Sequence, residues 1–298
     1  MLERTIVPPH PVDLLATLSA VRRGTYDPTC RFVDGTVWRA SRTAAGTATL
    51  RLVPTSEGIE ATAWGDGAEL ALEAAPALIG CDDDASDFAP EHPLVARLWR
   101  HHPGLRIGRT GAVTETLVGV VLEQRVTTYE ARRAQSQLVE RWGEPAPGPG
   151  DLLVSPDPEV LADVAYYDLH VIGVERKRAD AVRRVAAQSR QLDALVDVPI
   201  PAAATRLSQI QGIGPWSVAY TTMVALGDTD AVPLGDVHLP MAVTHALTGE
   251  AVDDDDAMVE ALAPFAGHRA RVIRLIMAAG LHGPRSGPRY APRDIRDQ

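Results

Sequence analysis

The chain has 298 residues, 45% of them hydrophobic and 23% charged, with a formal net charge of −10. At about 150 residues per domain this suggests roughly two domains; no run of about 18 apolar residues marks a membrane span, and MLERTIVPPH lacks the apolar stretch of a secretory signal, so a cytoplasmic protein with no membrane partner is expected. Cys30 and Cys81, far apart and outside any C-x-x-C pattern, give no zinc site, iron–sulfur cluster or disulfide framework and read as buried thiols.

From the N-terminus, residues 31–40, 47–54 and 58–64 alternate β-branched and small side chains between Gly and Asp, the pattern of antiparallel strands. Helical spacing at 11–21 and 67–78 flanks them, so residues 1–88 read as a small α+β domain. The acidic stretch 81–93, which ends in proline, is the expected boundary. Beyond it, three- and four-residue apolar spacing predicts helices over 91–102, 112–124, 127–142, 175–193, 215–227, 239–247, 256–263 and 266–281, a helical domain spanning 89–282. EPAPGPG at 144–150 reads as a turn-rich loop, and 283–298 as a basic tail rich in Pro and Gly.

The acidic balance argues against a nucleic-acid partner, because phosphate binding is driven by cations displacing counterions. The charges are uneven, however. Asp82–Asp84 with Asp87, and Asp253–Asp256, form acidic runs expected in linker or surface loop, whereas Arg97, Arg100, Arg106 and Arg109 with His101 and His102, then Arg176, Lys177, Arg178, Arg183 and Arg184, then His268, Arg269, Arg271 and Arg274 form basic clusters. These are either a cationic face or ordinary solvated helix faces. Lys177 is the only lysine in the chain.

The most informative stretch is LSQIQGIGPWSVAYTTMVALGDTDAVPLGDVHLPMAVTHAL, residues 207–247. One helix ends near Gln211, Gly212-Ile213-Gly214 forms a tight turn, and Pro215 opens a second helix where its missing N–H costs nothing. Two glycines around one apolar residue leave backbone N–H groups bare at a helix start, an anion site suited to a DNA phosphate. A plain interhelical turn with no ligand would look the same. Downstream, Val232-Pro233-Leu234-Gly235-Asp236 delivers a carboxylate just before a helix beginning at Leu239 or Pro240, where Asp236 is either a simple helix cap or a reactive group. Trp216 and Tyr220, at i and i+4, share one helix face, which Ala219, Met223 and Leu226 continue, so either ring could belong to the core.

The hairpin followed at this distance by a Pro/Gly loop ending in Asp resembles the helix-hairpin-helix base-excision DNA glycosylase superfamily. VVLEQRVTTYEA (120–131) and GVERKRADAV (173–182) agree with it, and the match is best to the 3-methyladenine DNA glycosylase II group. The resemblance implies an α+β fold in which a small antiparallel-sheet domain precedes a two-lobed all-α domain. It implies Asp236 as the catalytic carboxylate, Trp216 and Tyr220 in the base pocket, and Gly212, Ile213 and Gly214 on the DNA backbone. Gln124 and Arg125 occupy the position from which the superfamily inserts a wedge into the duplex. A monovalent cation, Na or K, would sit on the main-chain oxygens of Ser208, Ile210 and Ile213, with no other cofactor. The partner would be double-stranded DNA carrying a damaged base, bound by a monomer associated with the nucleoid.

Strand-cutting relatives carry a lysine two residues after the second hairpin glycine; Trp216 stands there, which implies a monofunctional glycosylase that hydrolyses the bond to an alkylated base with water and leaves an abasic site. The chain departs from the group in having 14 aromatic residues only, and in lacking the aromatic next to Asp13. His238 is either a proton relay or a surface or capping residue. The competing functions are a non-catalytic lesion-binding protein on the same fold, a strand-cleaving glycosylase, and an acidic protein-binding surface.

Overall fold

The alternating N-terminal segments form one antiparallel sheet in a computed structural model that describes residues 1–284. The strands are β1 (Leu2–Ile6), β2 (Cys30–Val33), β3 (Thr36–Thr43), β4 (Gly46–Thr55) and β5 (Gly58–Trp64), in the order β1-β5-β4-β3-β2. Register puts Val37 beside Leu52 and Leu52 beside Ala61, so one buried apolar row crosses three strands. The run 31–40 is two strands, because Asp34 and Gly35 both take positive φ (49° and 77°) and turn the chain back on itself. α1 (Leu14–Leu18), capped by Asp13, is shorter than 11–21, and α2 (Ala68–Leu78) lays Ala71, Leu72, Ala75 and Leu78 against the sheet.

The helices that follow are α3 (Pro93–His101), α4 (Val113–Glu123) and α5 (Thr128–Trp142), the last opened by a reciprocal capping box between Thr127 and Glu130. A two-residue pairing, β6 (Glu144–Pro145) with β7 (Leu153–Val154), closes the Pro/Gly loop. Then come α6 (Pro158–Asp163), α7 (Tyr166–Val171), α8 (Arg176–Ala186), α9 (Ser189–Asp193), α10 (Ile200–Ser208), α11 (Pro215–Thr221), α12 (Leu239–Thr248), α13 (Asp255–Leu262) and α14 (Arg269–Ala278). The helix expected over 175–193 is broken between α8 and α9, and α11 runs into a π-helical turn, Thr222–Leu226, ended by Gly227 at φ 77°. The part of the basic tail from residue 285 on lies outside the described residues. Among the described residues no helix is long and apolar enough to cross a membrane.

Beside a small cluster of Ala219, Met223, Val224, Ala231 and Ala270, against which Tyr220 packs, the helices build two main cores among the described residues. One takes Leu117, Leu122, Leu138, Val182, Leu207 and Ile213 from α4 to the hairpin. The other takes Phe88, Val95, Leu98 and Leu105 from before α4, and Leu239, Val243, Met258, Leu262, Leu275 and Ile276 from after the hairpin. Ion pairs tie the sheet domain to α4: Arg39 to Glu115 at 3.3 Å and Arg23 to Glu123 at 2.7 Å. Burial pushes the Glu115 carboxyl above the usual range, and the neighbouring Arg39 opposes the shift.

Several charges sit where the sequence did not lead us to expect them. Asp83, in the presumed surface run, has a fully buried side chain that takes both Arg271 Nη atoms (2.8 and 2.7 Å) and the Ile107 N–H (3.0 Å). Many arginines of the basic clusters are used inside the fold, while Arg97, Arg100, Arg176 and Lys177 are exposed. Arg106 donates to the Pro11 and Pro103 carbonyls, Arg178 to Leu122 and Gly173, Arg183 to Ala162, and Arg274 to Ala16 and Thr17. Arg269 pairs with Asp230 and Arg109 with Asp82. Arginine's forked donors suit it to this use, closing chain segments that no helix or strand satisfies.

Cys30 is buried and Cys81 half-buried, both as free thiols. Burial, with Asp27 adding to it, pushes the Cys30 thiol up to about 12. In native protein at pH 8 a thiol reagent should therefore leave Cys30 unlabelled until denaturant is added; labelling at the rate of a free thiol would show that the sheet opens readily.

Candidate active site

The hairpin forms because α10 must stop and reverse within a few residues. Gly212 takes φ 95°, a left-handed conformation that side chains resist, and its missing Cβ lies 3.2 Å from the Ala181 methyl. Ile213 is buried in the hairpin lobe, and its N–H closes on the Ile210 carbonyl at 3.0 Å. A Cβ on Gly214 would meet nothing within 4 Å, so the turn is open on that side. Two long side chains hold the outside of the turn: Arg184 from α8 donates to the Gln211 carbonyl at 2.7 Å, and Gln124 donates to the Gly212 carbonyl at 3.0 Å and to Ser217 Oγ at 2.8 Å.

Gln124 thus ties the end of α4 to the hairpin. Its neighbour Arg125 is exposed and holds φ 55°, a rare conformation for a side-chain-bearing residue, at the turn between α4 and α5.

Across from the hairpin, Val232 and Leu234 anchor the loop to the second lobe, and Gly235 at φ 85° turns the chain into Asp236. Asp236 uses its two oxygens differently. Oδ1 accepts the backbone N–H groups of His238 and Leu239 (2.8 and 3.0 Å), which are free donors at the start of α12. Oδ2 accepts Trp216 Nε1–H at 2.8 Å and faces the Tyr220 hydroxyl at 3.5 Å. Asp236 thus caps α12 through Oδ1 while Oδ2 faces the aromatic pair. Trp216 and Tyr220 are both half-buried, their ring centroids 4.8 Å apart and tilted by 57°, so they border the site with part of each ring accessible. Burial, then the Asp236 charge, pushes the Tyr220 phenol well above its ordinary range, so it keeps the O–H that it turns toward Asp236.

His238 is exposed and contributes its backbone N–H, and Lys177 is exposed on α8. The structure brings together Gly212, Gln124, Trp216, Tyr220 and Asp236. The roles of Arg184 and of Asp255, whose carboxylate accepts the Gly235 N–H at 2.7 Å, were missed; each partner is 20 or more residues away, and nothing local signals the pairing. Among the described residues no cluster of three or more His, Cys, Asp or Glu could hold a metal ion.

No family model matches the chain. Among curated proteins it is 34% identical over 143 residues to a probable bifunctional transcriptional activator/DNA repair enzyme AlkA of Mycobacterium tuberculosis, covering 47% of this chain and 28% of that protein. It is 29% identical over 166 residues to a DNA-3-methyladenine glycosylase of Bacillus subtilis, covering 53% of this chain and 55% of the relative. The aligned region thus spans little more than half the length of these relatives at most. Among solved structures, a 3-methyladenine DNA-glycosylase from Archaeoglobus fulgidus superposes with a TM-score of 0.76 at 16% identity, over 93% of this chain and 97% of the other. The 8-oxoguanine glycosylase/lyase of Clostridium acetobutylicum, in complex with DNA, gives 0.70 at 12% identity over 94% and 97%. The chain has the fold of these glycosylases over nearly its whole length.

Proposed function

We propose that the protein is a DNA glycosylase of base excision repair, acting on alkylated bases of the 3-methyladenine type in duplex DNA and leaving an abasic site. The observation that carries this reading is the fixed Asp236 carboxylate, bordered by two aromatic rings and standing beside a hairpin that can take a backbone phosphate. A flipped, electron-poor base would stack on the accessible part of Trp216 and Tyr220. As its glycosidic bond lengthens, positive charge builds on the sugar, and a carboxylate already oriented by its donors stabilises that charge without reorganising. The hydrogen bonds to both oxygens fit Asp236 better to this electrostatic role than to removing a proton from water. Trp216 at the motif position of the strand-cutting lysine favours a water-dependent, monofunctional reaction.

The carbonyls of Ser208, Ile210 and Ile213 are neutral oxygens of the type that suits a monovalent cation. Ile210 O has one lone pair left after accepting the Ile213 N–H. Such an ion would brace the turn against a phosphate. We take a monomer as the working unit, a reading supported by a hairpin, an aromatic pair and an Asp236 loop that meet within one chain.

The test is release of free base from alkylated duplex DNA, with strand breaks scored before and after alkali. We expect 3-methyladenine or 7-methylguanine to be freed and strands to break only after alkali. Tight binding with no base released from alkylated, deaminated or oxidised DNA would replace this reading with lesion binding.

A further inference from the structure

The hydrogen bonds to the Asp236 carboxylate orient its side chain, but something must also fix the backbone that presents it. Val232 and Leu234 pack the loop onto the second lobe, but the residue before Asp236, Gly235, takes φ 85° and a Cβ there would meet nothing within 4 Å, so packing does not reach this last position. The Gly235 N–H instead donates to Oδ2 of Asp255 at 2.7 Å. Asp255 is the first residue of α13, a helix secured by Asp254, whose carboxylate accepts the Ala257 N–H at 2.9 Å, and by Met258 and Leu262, fully buried in the core that also holds Leu239 and Val243 of α12. The loop is therefore pinned between the starts of two packed helices. Asp236 takes the free N–H groups of α12, and Asp255 reaches back from α13 to the residue just before it.

The other Asp255 oxygen, Oδ1, is buried with no hydrogen-bond partner. A residue present only to favour a helix start would leave both oxygens in water, as an acidic first turn normally does. The neighbouring Asp253 and Asp256 are exposed.

We propose that Asp255 is a positioning residue for Asp236: by holding the Gly235 N–H it sets where the reactive carboxylate stands relative to Trp216. This rests on the glycosylase reading above. The experiment compares full-length wild type with Asp255→Ala and Asp255→Asn in single-turnover base release from alkylated duplex, duplex Kd, and hydrogen exchange of the Trp216 indole Nε1–H, assigned by its absence in Trp216→Phe.

The Ala variant should slow base release at least tenfold, leave Kd within twofold, and expose the Trp216 proton to faster exchange. The Asn variant, whose amide oxygen can accept the same N–H, should recover most of the rate and protection. Wild-type rate and protection in Asp255→Ala would overturn the proposal, as would a loss of rate accompanied by an equal loss of DNA affinity and melting temperature. Should the wild type release no base from any substrate, the glycosylase reading fails by itself, and exchange at Trp216 still decides whether Asp255 holds the loop.

Discussion

Asp236→Asn should lower single-turnover base release by about 10²- to 10³-fold, the scale of removing one preorganised electrostatic contact from a reacting centre. The substitution is nearly isosteric, but it fails twice. It removes the charge that opposes the developing cation on the sugar. It also cannot satisfy both sets of donors. Its amide oxygen can keep the His238 and Leu239 N–H groups, leaving its NH₂ opposed to Trp216 Nε1–H, or the reverse. One lost hydrogen bond of this kind costs about 1 kcal/mol, so melting should fall by only a few degrees, roughly 2–4 °C. A variant within tenfold of wild-type rate would remove Asp236 from the chemistry. A variant that unfolds at 37 °C would mean that Asp236 is first a structural cap.

The largest expected stability effect is far from this site. Asp83→Ala leaves the Arg271 guanidinium, wholly buried, without the carboxylate that meets both of its Nη atoms. Its remaining neighbours, His268 Nδ1 at 3.2 Å and the Phe88 and Trp99 rings, offer no negative charge. Removing one partner of a buried pair costs about 3–5 kcal/mol, whereas replacing both by apolar side chains is often neutral. Thermal melting of Asp83→Ala, Arg271→Met and the double variant Asp83→Leu/Arg271→Met checks this. The single variants should melt about 6–20 °C lower, and the double should recover most of that loss. Equal losses in all three would show that the ion pair itself, and not an abandoned charge, stabilises the join between residues 81–88 and α14.

Much of the fold was legible because it rests on local chemistry. The alternation of 47–64 gave two strands, apolar spacing marked α5, and GIGP with the later GD loop marked the hairpin and the Asp236 loop 20 residues apart in sequence. What stayed hidden depends on distant partners. Asp83 reads as part of a soluble acidic run, since its partner Arg271 lies 188 residues on. The basic clusters read as either a cationic face or solvated helix faces, because nothing in a sequence reveals which guanidinium groups will close main-chain carbonyls. β1 was missed because LERTI carries little apolar alternation until it pairs with β5, and α6 and α7, of six residues each, are too short to display a period. The division of the Asp236 hydrogen bonds was beyond sequence for a similar reason: its place before a helix was visible, but not that its second oxygen takes the Trp216 Nε1–H.

The second core is assembled from a piece of chain before α4 and a piece after the hairpin, with everything from α4 to the π-helical turn between them. During synthesis the hairpin lobe can collapse from contiguous material, while Val95 and Leu98 on α3 remain without most of their packing until Leu275 and Ile276 on α14 have left the ribosome. Closing so long a loop is entropically slow. Asp236 begins the helix that belongs to this late-closing lobe, so the carboxylate and its aromatic neighbours, made only 20 residues apart, reach their final geometry at one of the last steps of folding rather than when their own segment is complete.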